Sequence, residues 1–155
     1  MRVAAVAVLS TLLASGAAYA EPYVNARYGT ALDVPTQVFS RRLPPPDNGD
    51  GQSWQASDGA KLFVFGSYNA LDDTPASFFQ ELVTTRRAST ELTYSHQAGK
   101  VAVVSGFAGS TVYYEKYLFG ARNEIVHGFI LSYPKSAKAK YDPLVGPIAK
   151  SLTGP

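Results

Sequence analysis

The sequence predicts an α+β domain in which an antiparallel meander sheet is flanked by helices. Four consecutive segments alternate apolar and polar residues, and the turns between them are short enough to make neighbouring strands antiparallel. Two further segments begin with a capping residue followed by proline, which is typical of helix starts. The chain has 155 residues and no cysteine, so we expect one domain stabilised by packing alone, without disulfides.

Residues 1–20 predict a signal peptide. Arg2 supplies a positive start, Val3–Leu13 is mainly apolar, and Ala18-Tyr19-Ala20 is an A-x-A cleavage site. We therefore expect cleavage between Ala20 and Glu21, export to the periplasm or out of the cell, and a single α+β domain over residues 21–155. The apolar run is shorter than the roughly 18 residues that span a bilayer, so no stable membrane span should remain after cleavage.

The first part of this domain predicts short strands and a loop. Tyr23–Val34 reads as one or two strands interrupted at Gly29 and ended by Pro35. Leu43–Gly51 contains three prolines followed by Asp, Asn and Gly, a composition typical of loops.

A hairpin is predicted next, with Asp58-Gly59 as a two-residue tip. This register would place Trp54 opposite Phe63 on the two strands.

A helix is predicted to begin at Asp73-Thr74-Pro75, because Asp or Thr caps free N–H groups and proline fits the first helical position. Arg86 and Arg87 fall in the last turn, where positive charge suits the helix dipole. One face of this helix is apolar, formed by Phe78, Phe79, Leu82 and Val83.

Four strands and a helical tail complete the chain. The turns are predicted at Ala98-Gly99, at Gly109-Ser110 and around Ala121-Arg122, between strands at Thr90–Gln97, Lys100–Ala108, Thr111–Phe119 and Glu124–Tyr133. The tail predicts two helical pieces, Lys135–Lys140 and Pro143–Leu152, and Pro147 should shorten or kink the second.

Several short motifs resemble those of small uncharacterised exported bacterial proteins with a PsbP-like fold. They are Tyr23, Asn25, Arg27, Tyr28, Gly29, Asp33 and Pro35, then Asp47–Gly51, Ser57-Asp58-Gly59, Val103–Gly106 and Tyr141-Asp142-Pro143. The resemblance implies an antiparallel sheet flanked by helices, in a group used as accessory or binding subunits. It implies no catalytic residues.

We expect no metal and no cofactor. The loop Pro46–Gly51 resembles a calcium loop, but Pro46 occupies the first ligand position and Ser57 the twelfth, where Glu is required. His96 and His127 share the predicted apolar face three strands apart, too far to bind one metal. Each is expected to be a hydrogen-bonded core histidine.

The predicted turns place four residues in one cross-strand row on the apolar, helix-covered face: Tyr94, Val103, Lys116 and His127. Lys116 is the one residue that breaks this face, and a buried lysine is rarely tolerated without a partner. Its side chain either extends past the sheet end into solvent, or it forms a small ligand or anion site with Tyr94 and His127. In either case its ammonium should reach the rim or a polar partner.

The net charge and the absence of known motifs limit the classes of function to be considered. The formal net charge of +2 gives no reason to expect nucleic-acid or membrane-surface binding. No P-loop, H-E-x-x-H or G-x-S-x-G motif occurs, and ten tyrosines are compatible with a protein interface. We expect a non-enzymatic periplasmic or secreted accessory protein that binds a protein partner. The alternatives are a carrier of a small ligand or anion and, third, an enzyme of unrecognised type.

Overall fold

The computed structural model describes residues 20–155. The predicted signal peptide lies outside this range except for Ala20, which is exposed. Most strands form a seven-stranded sheet in the order β3-β4-β5-β9-β8-β7-β6, and β1 and β2 form a separate hairpin. The strands are β1 Glu21–Val24, β2 Ala31–Val34, β3 Arg41–Arg42, β4 Gly51–Gln55, β5 Lys61–Tyr68, β6 Glu91–Ala98, β7 Val101–Ala108, β8 Thr111–Phe119 and β9 Ile125–Pro134; the helices are α1 Pro75–Ser89 and α2 Lys138–Ser151, preceded by a 3₁₀ turn at Lys135–Ala137.

Both faces of the large sheet are covered, which confirms the predicted α+β sandwich. On one face α1 packs its phenylalanines over β8 and β9, and the Phe78 ring meets the rings of Tyr117 and Phe119 at 5.0 and 5.4 Å between centroids. On the other face α2 and the β1–β2 hairpin close the larger core, to which Leu32, Phe129 and Tyr141 contribute fully buried side chains.

The predicted start of the first helix is confirmed. The Thr74 hydroxyl accepts the Ser77 N–H at 3.1 Å, the Ser77 side chain returns a contact to the Thr74 N–H, and Pro75 is the first helical residue. The N-terminal hairpin is also as expected, since β1 and β2 are separated at Gly29, whose φ is +69°.

The β4–β5 hairpin differs from the prediction by one residue. The Gly59 N–H bonds to the Ala56 carbonyl, and Gly59 has a φ of +87°, which is the three-residue turn with a glycine bulge. Trp54 therefore pairs with Leu62 rather than with Phe63. Because one residue of shift changes the face, Trp54 and Phe63 lie on opposite sides of the sheet.

Two of the three predicted registers among the later strands are wrong by two residues. The first turn is Gly99-Lys100, because Gly99 takes the first central position with a φ of +53°. The last turn is centred one residue later than predicted, because Asn123 adopts a φ of +59°. The Gly109-Ser110 turn is confirmed. Shifts of two preserve the face of each residue but change its cross-strand partner.

A β-bulge between Leu92 and Tyr94 corrects one further expectation. Tyr94 pairs with Ser105 and Leu92 with Gly106, so the expected alternation along β6 is interrupted and Leu92 and Tyr94 lie on opposite faces. Only glycine fits at position 106, because a Cβ there would collide with the Glu91 carbonyl oxygen.

The tail forms one helix where two pieces were predicted. Helix α2 runs through both Pro143 and Pro147. Tertiary contacts keep the helix continuous where a break was predicted. There Tyr141 is fully buried, and its hydroxyl donates to Asp58 at 2.7 Å. Beside it, the Tyr133 hydroxyl donates to Asp142 at 2.8 Å.

Candidate functional site

The three residues predicted as a ligand site do not meet. His96, Val103, Lys116 and Phe129 occupy the row in which Tyr94 and His127 were expected. Tyr94 lies in the neighbouring cross-strand row and is 52% exposed, whereas His127 is fully buried. The error follows from the two shifted turns. Lys116 and His127 nevertheless share the face that α2 covers, because His127 pairs with Leu118.

His127 is a hydrogen-bonded core residue, as predicted. Its Nδ1 lies 2.8 Å from the Thr30 hydroxyl, and burial lowers the pKa of the imidazole. Gly154 lies so close against the ring that a Cβ there would collide with it. The histidine therefore fastens the C-terminal segment and the β1–β2 hairpin to the large sheet.

Lys116 reaches a polar partner, as expected for a lysine on an apolar face. Its ammonium donates to the Ala149 carbonyl at 2.5 Å, and burial lowers its pKa. Ala149 lies in the last turn of α2, where carbonyls lack helical partners and a cation suits the dipole. Lys116 thus caps α2 from the sheet.

The end of the sheet beyond α2 presents an aromatic surface. We call Tyr94 and His96 the β6 surface. The Tyr94 and His96 rings stack at 6.5 Å between centroids, and His96 is exposed, which corrects its prediction as a core histidine. Tyr114 lies between them and the core, and burial together with nearby Tyr94 raises its pKa. The bulge and the edge position of β6 explain why His96 is not covered.

Strand β6 is also the edge of the sheet. Within residues 20–155 it pairs with β7 and with no other strand, so its outer backbone groups are free to bond. After Glu91 it carries no acidic residue, no lysine and no proline, which are the residues that usually protect an exposed edge. The β6 surface thus adjoins an unpaired strand edge that lacks the usual protecting residues.

The sequence analysis did not predict one buried ion pair, which joins Arg86 to Glu115. Glu115 is 2% exposed, and its carboxylate contacts the Arg86 guanidinium at 2.5 Å and accepts the Tyr117 hydroxyl at 2.8 Å. The pKa of Tyr117 rises because of burial, with Glu115 adding to the effect. The signal was present in β8, whose Tyr113, Glu115, Tyr117 and Phe119 make its second face largely aromatic.

A second charged cluster joins the β4–β5 turn to α2. Asp58 accepts from Lys140 at 2.7 Å and from Tyr141 at 2.7 Å. Lys140 and then Tyr141 lower the pKa of Asp58 to about 2. Each charged group in this cluster has a partner, so its arrangement serves packing between elements.

The loop that resembles a calcium site is held by an arginine. Arg27 Nη1 contacts Asp50 at 2.9 Å and the Asn48 carbonyl at 2.6 Å, and the Asn25 amide donates to the Gly49 carbonyl at 2.9 Å. These residues belong to the motifs that carried the resemblance, and they join the loop to the β1–β2 turn. Among residues 20–155, no three His, Cys, Asp or Glu side chains converge to hold a metal.

Comparison with known proteins identifies the fold. No protein-family model and no curated protein sequence matches the chain. The solution structure of cyanobacterial PsbP (CyanoP) from Synechocystis sp. PCC 6803 superposes with a TM-score of 0.62 and 15% sequence identity, covering 95% of this chain and 99% of that one. The chain therefore has the PsbP-like fold. No helix in the described part of the chain is long and apolar enough to cross a membrane.

Proposed function

We propose that this chain is a non-enzymatic accessory protein that acts outside the cytoplasm and binds a protein partner by strand addition to β6. The observation that carries the proposal is the unpaired edge of β6 beside the half-exposed ring of Tyr94. In strand addition, backbone hydrogen bonds supply affinity, and side chains along the edge supply specificity.

The chemistry of the edge supports this proposal. From Tyr94 to Ala98 the pairing with β7 is regular, so the outer edge presents a regularly repeating series of backbone N–H and C=O groups to a partner strand. Tyr94 and His96 flank that edge, and tyrosine is enriched at protein interfaces. Glu115 and Asp58 are both paired within the fold, so neither offers a free carboxylate for catalysis, which favours a binding role.

The test is photocrosslinking in the native cell. A p-benzoylphenylalanine placed at position 94 should capture one defined protein. The same residue at position 68 is the matched control, because Tyr68 is 64% exposed and lies at the end of β5, away from the β6 surface. Excess wild-type protein should compete for the captured partner, whereas the Tyr94→Lys variant should not.

Two results would overturn the proposal: equal capture from positions 94 and 68, or no adduct from position 94 above background.

The location outside the cytoplasm has its own test. Mass spectrometry of the exported protein should show an N-terminus at Glu21 or within one or two residues of it. Retention of residues 1–20 in that fraction would contradict the predicted cleavage, and absence of the protein from that fraction would contradict the proposed export.

A further inference from the structure

We propose that the cleft between the β1–β2 hairpin and the β3–β4 edge binds a small organic molecule with a single carboxylate. The cleft has a volume of about 320 Å³, which lies at the lower end of the range for small-molecule sites. Its walls and base come from Tyr23, Val34, Phe39, Arg42 and Trp54, and Glu21, Pro22, Thr36 and Ser40 complete the lining.

One side of the cleft is apolar and rigid. The rings of Tyr23 and Trp54 meet edge to face, with centroids 5.1 Å apart. Val34 and Phe39 at the base are 1% and 0% exposed, and Trp54 is 5% exposed. The core holds these side chains in place, so the accessible part of Tyr23 and the small accessible part of Trp54 offer a preformed surface to the flat body of a ligand.

Arg42 supplies the positive charge. Its guanidinium lies over both rings, 6.0 Å from the Tyr23 centroid and 5.7 Å from the Trp54 centroid, which are cation–π distances. Among residues 20–155 it has no carboxylate within ion-pair distance, whereas Arg27, Arg86 and Arg122 each have one. A guanidinium held over two rings keeps its outer N–H donors for a carboxylate.

The charge of the cleft limits the ligand. The hydroxyls of Thr36 and Ser40 are further donors, but Glu21 also lines the cleft. Its carboxylate would repel a second negative charge on the ligand. The site therefore favours a monocarboxylate with an apolar or aromatic body over a dicarboxylate or a phosphate.

Trp54 makes the test direct, because it is the one tryptophan of the chain and it lines the cleft. Benzoate should shift its fluorescence saturably, and benzamide, which has the same ring without the charge, should bind at least tenfold more weakly. Phthalate, with two carboxylates, should also bind more weakly than benzoate. Equal affinity for benzoate and benzamide would overturn the proposal without any mutation.

Arg42→Gln should weaken benzoate binding at least tenfold and leave benzamide binding unchanged. Arg41→Gln is the matched control, since Arg41 is adjacent but directs its guanidinium to Gln55. Equal loss in the two variants would contradict a specific role for Arg42. Circular dichroism and thermal unfolding confirm that each variant folds. The cleft and the β6 surface lie at opposite edges of the sheet. Failure of the ligand proposal would therefore not affect the partner proposal, and failure of the partner proposal would not affect the ligand proposal.

Discussion

At the residue scale, Glu115 shows how a charged side chain is kept in the core. Arg86 projects from the last turn of α1 and neutralises the carboxylate, while its guanidinium also lies 5.5 Å from the centre of the Tyr113 ring. Burying a carboxylate without such a partner costs several kcal/mol. The pair thus fixes where α1 rests on the sheet.

We expect Arg86→Ala to lower the free energy of unfolding by roughly 3–5 kcal/mol, because it leaves the Glu115 carboxylate buried and unpaired. Urea unfolding measures this change. Arg87→Ala is the control, since Arg87 is exposed on the same turn and should change stability by less than about 0.5 kcal/mol. Combining Arg86→Met with Glu115→Leu should recover most of the loss. A small effect of Arg86→Ala alone would show that Glu115 is solvated.

His127 should make the fold sensitive to acid. Burial lowers its pKa in the folded state below the ordinary 6.5, so the unfolded chain takes up a proton first as the pH falls. Stability from this residue is complete above pH 6.5 and declines below it. His127→Gln should flatten that decline in unfolding experiments, whereas His96→Gln, at the exposed histidine, should keep it. An unchanged slope in His127→Gln would contradict the burial.

Lys116 should affect the stability of the fold in alkaline solution, where the titration of His127 has no effect. Burial lowers its pKa below the ordinary 10.5, so the folded state loses its proton first and wild-type stability rises as the pH approaches 10.5. Near neutral pH, Lys116→Met should change stability by less than about 1 kcal/mol, because the lost bond to Ala149 is offset by removing a buried charge.

The matched control for this position is Lys116→Arg, which keeps a donor for Ala149 but does not titrate in this range. Both variants should lose the rise in stability towards pH 10.5. If Lys116→Met kept it, another group would be responsible.

Sequence patterns predicted the environment of these residues unevenly. Lys116 and His127 were placed correctly on an apolar face because period-2 alternation reports faces directly. The burial of Glu115 was not predicted, because alternation reads any charged residue as solvent-facing and its partner Arg86 is 29 residues away in sequence. Arg42 and Trp54 were not recognised as a pair because the cleft depends on the hairpin register.

At the scale of the elements, strand and helix positions were predictable but cross-strand partners were not. The four last strands begin and end within about one residue of their expected limits. Which residue of a turn adopts positive φ decides the register, and the choice between Gly99 and its neighbour is set by the whole sheet. The predicted row failed for this reason, although shifts of two residues do not change faces; in β6 it is the bulge that moves Glu91 and Leu92 to the other side of the sheet.

Helix α2 should tolerate the removal of a proline. Pro147 is exposed inside the helix, and its ring leaves the Pro143 carbonyl without a helical donor. We expect Pro147→Ala to raise the free energy of unfolding by about 1 kcal/mol, since the new N–H closes that bond while the unfolded chain gains some freedom.

The control is Pro75→Ala at the first position of α1, where no helical bond is missing. This change should be neutral or destabilising by up to about 1 kcal/mol. Thermal unfolding of both variants separates the two cases, and a lower melting temperature for Pro147→Ala would show that the proline is needed for the path of α2.

At the scale of the whole molecule, the two helices are held unequally. Helix α2 contains the buried Tyr141 and Ile148, whereas α1 contains no fully buried residue. Stability in native proteins follows such differences in burial. The side of the sheet under α1 is therefore the more easily opened.

Hydrogen exchange should reveal this order. Amides of α1 and of the edge strand β6 should exchange before those of β8 and β9, which pair on both sides within the sheet. Mass spectrometry of the exchanged peptides measures the difference. Equal protection of Pro75–Ser89 and Ile125–Pro134 would show that α1 opens only with the entire domain.

The two edges of the large sheet differ in length, and this difference limits how the proposed strand pairing could continue. Strand β6 has eight residues, whereas β3 at the opposite edge has two. Growth of a fibre through strand pairing needs an addition site at both ends of each subunit. This sheet has a long unpaired edge at one end only, so the proposed pairing through β6 should stop after a single partner. We therefore expect complexes formed at this edge to be one-to-one pairs that do not grow into fibres.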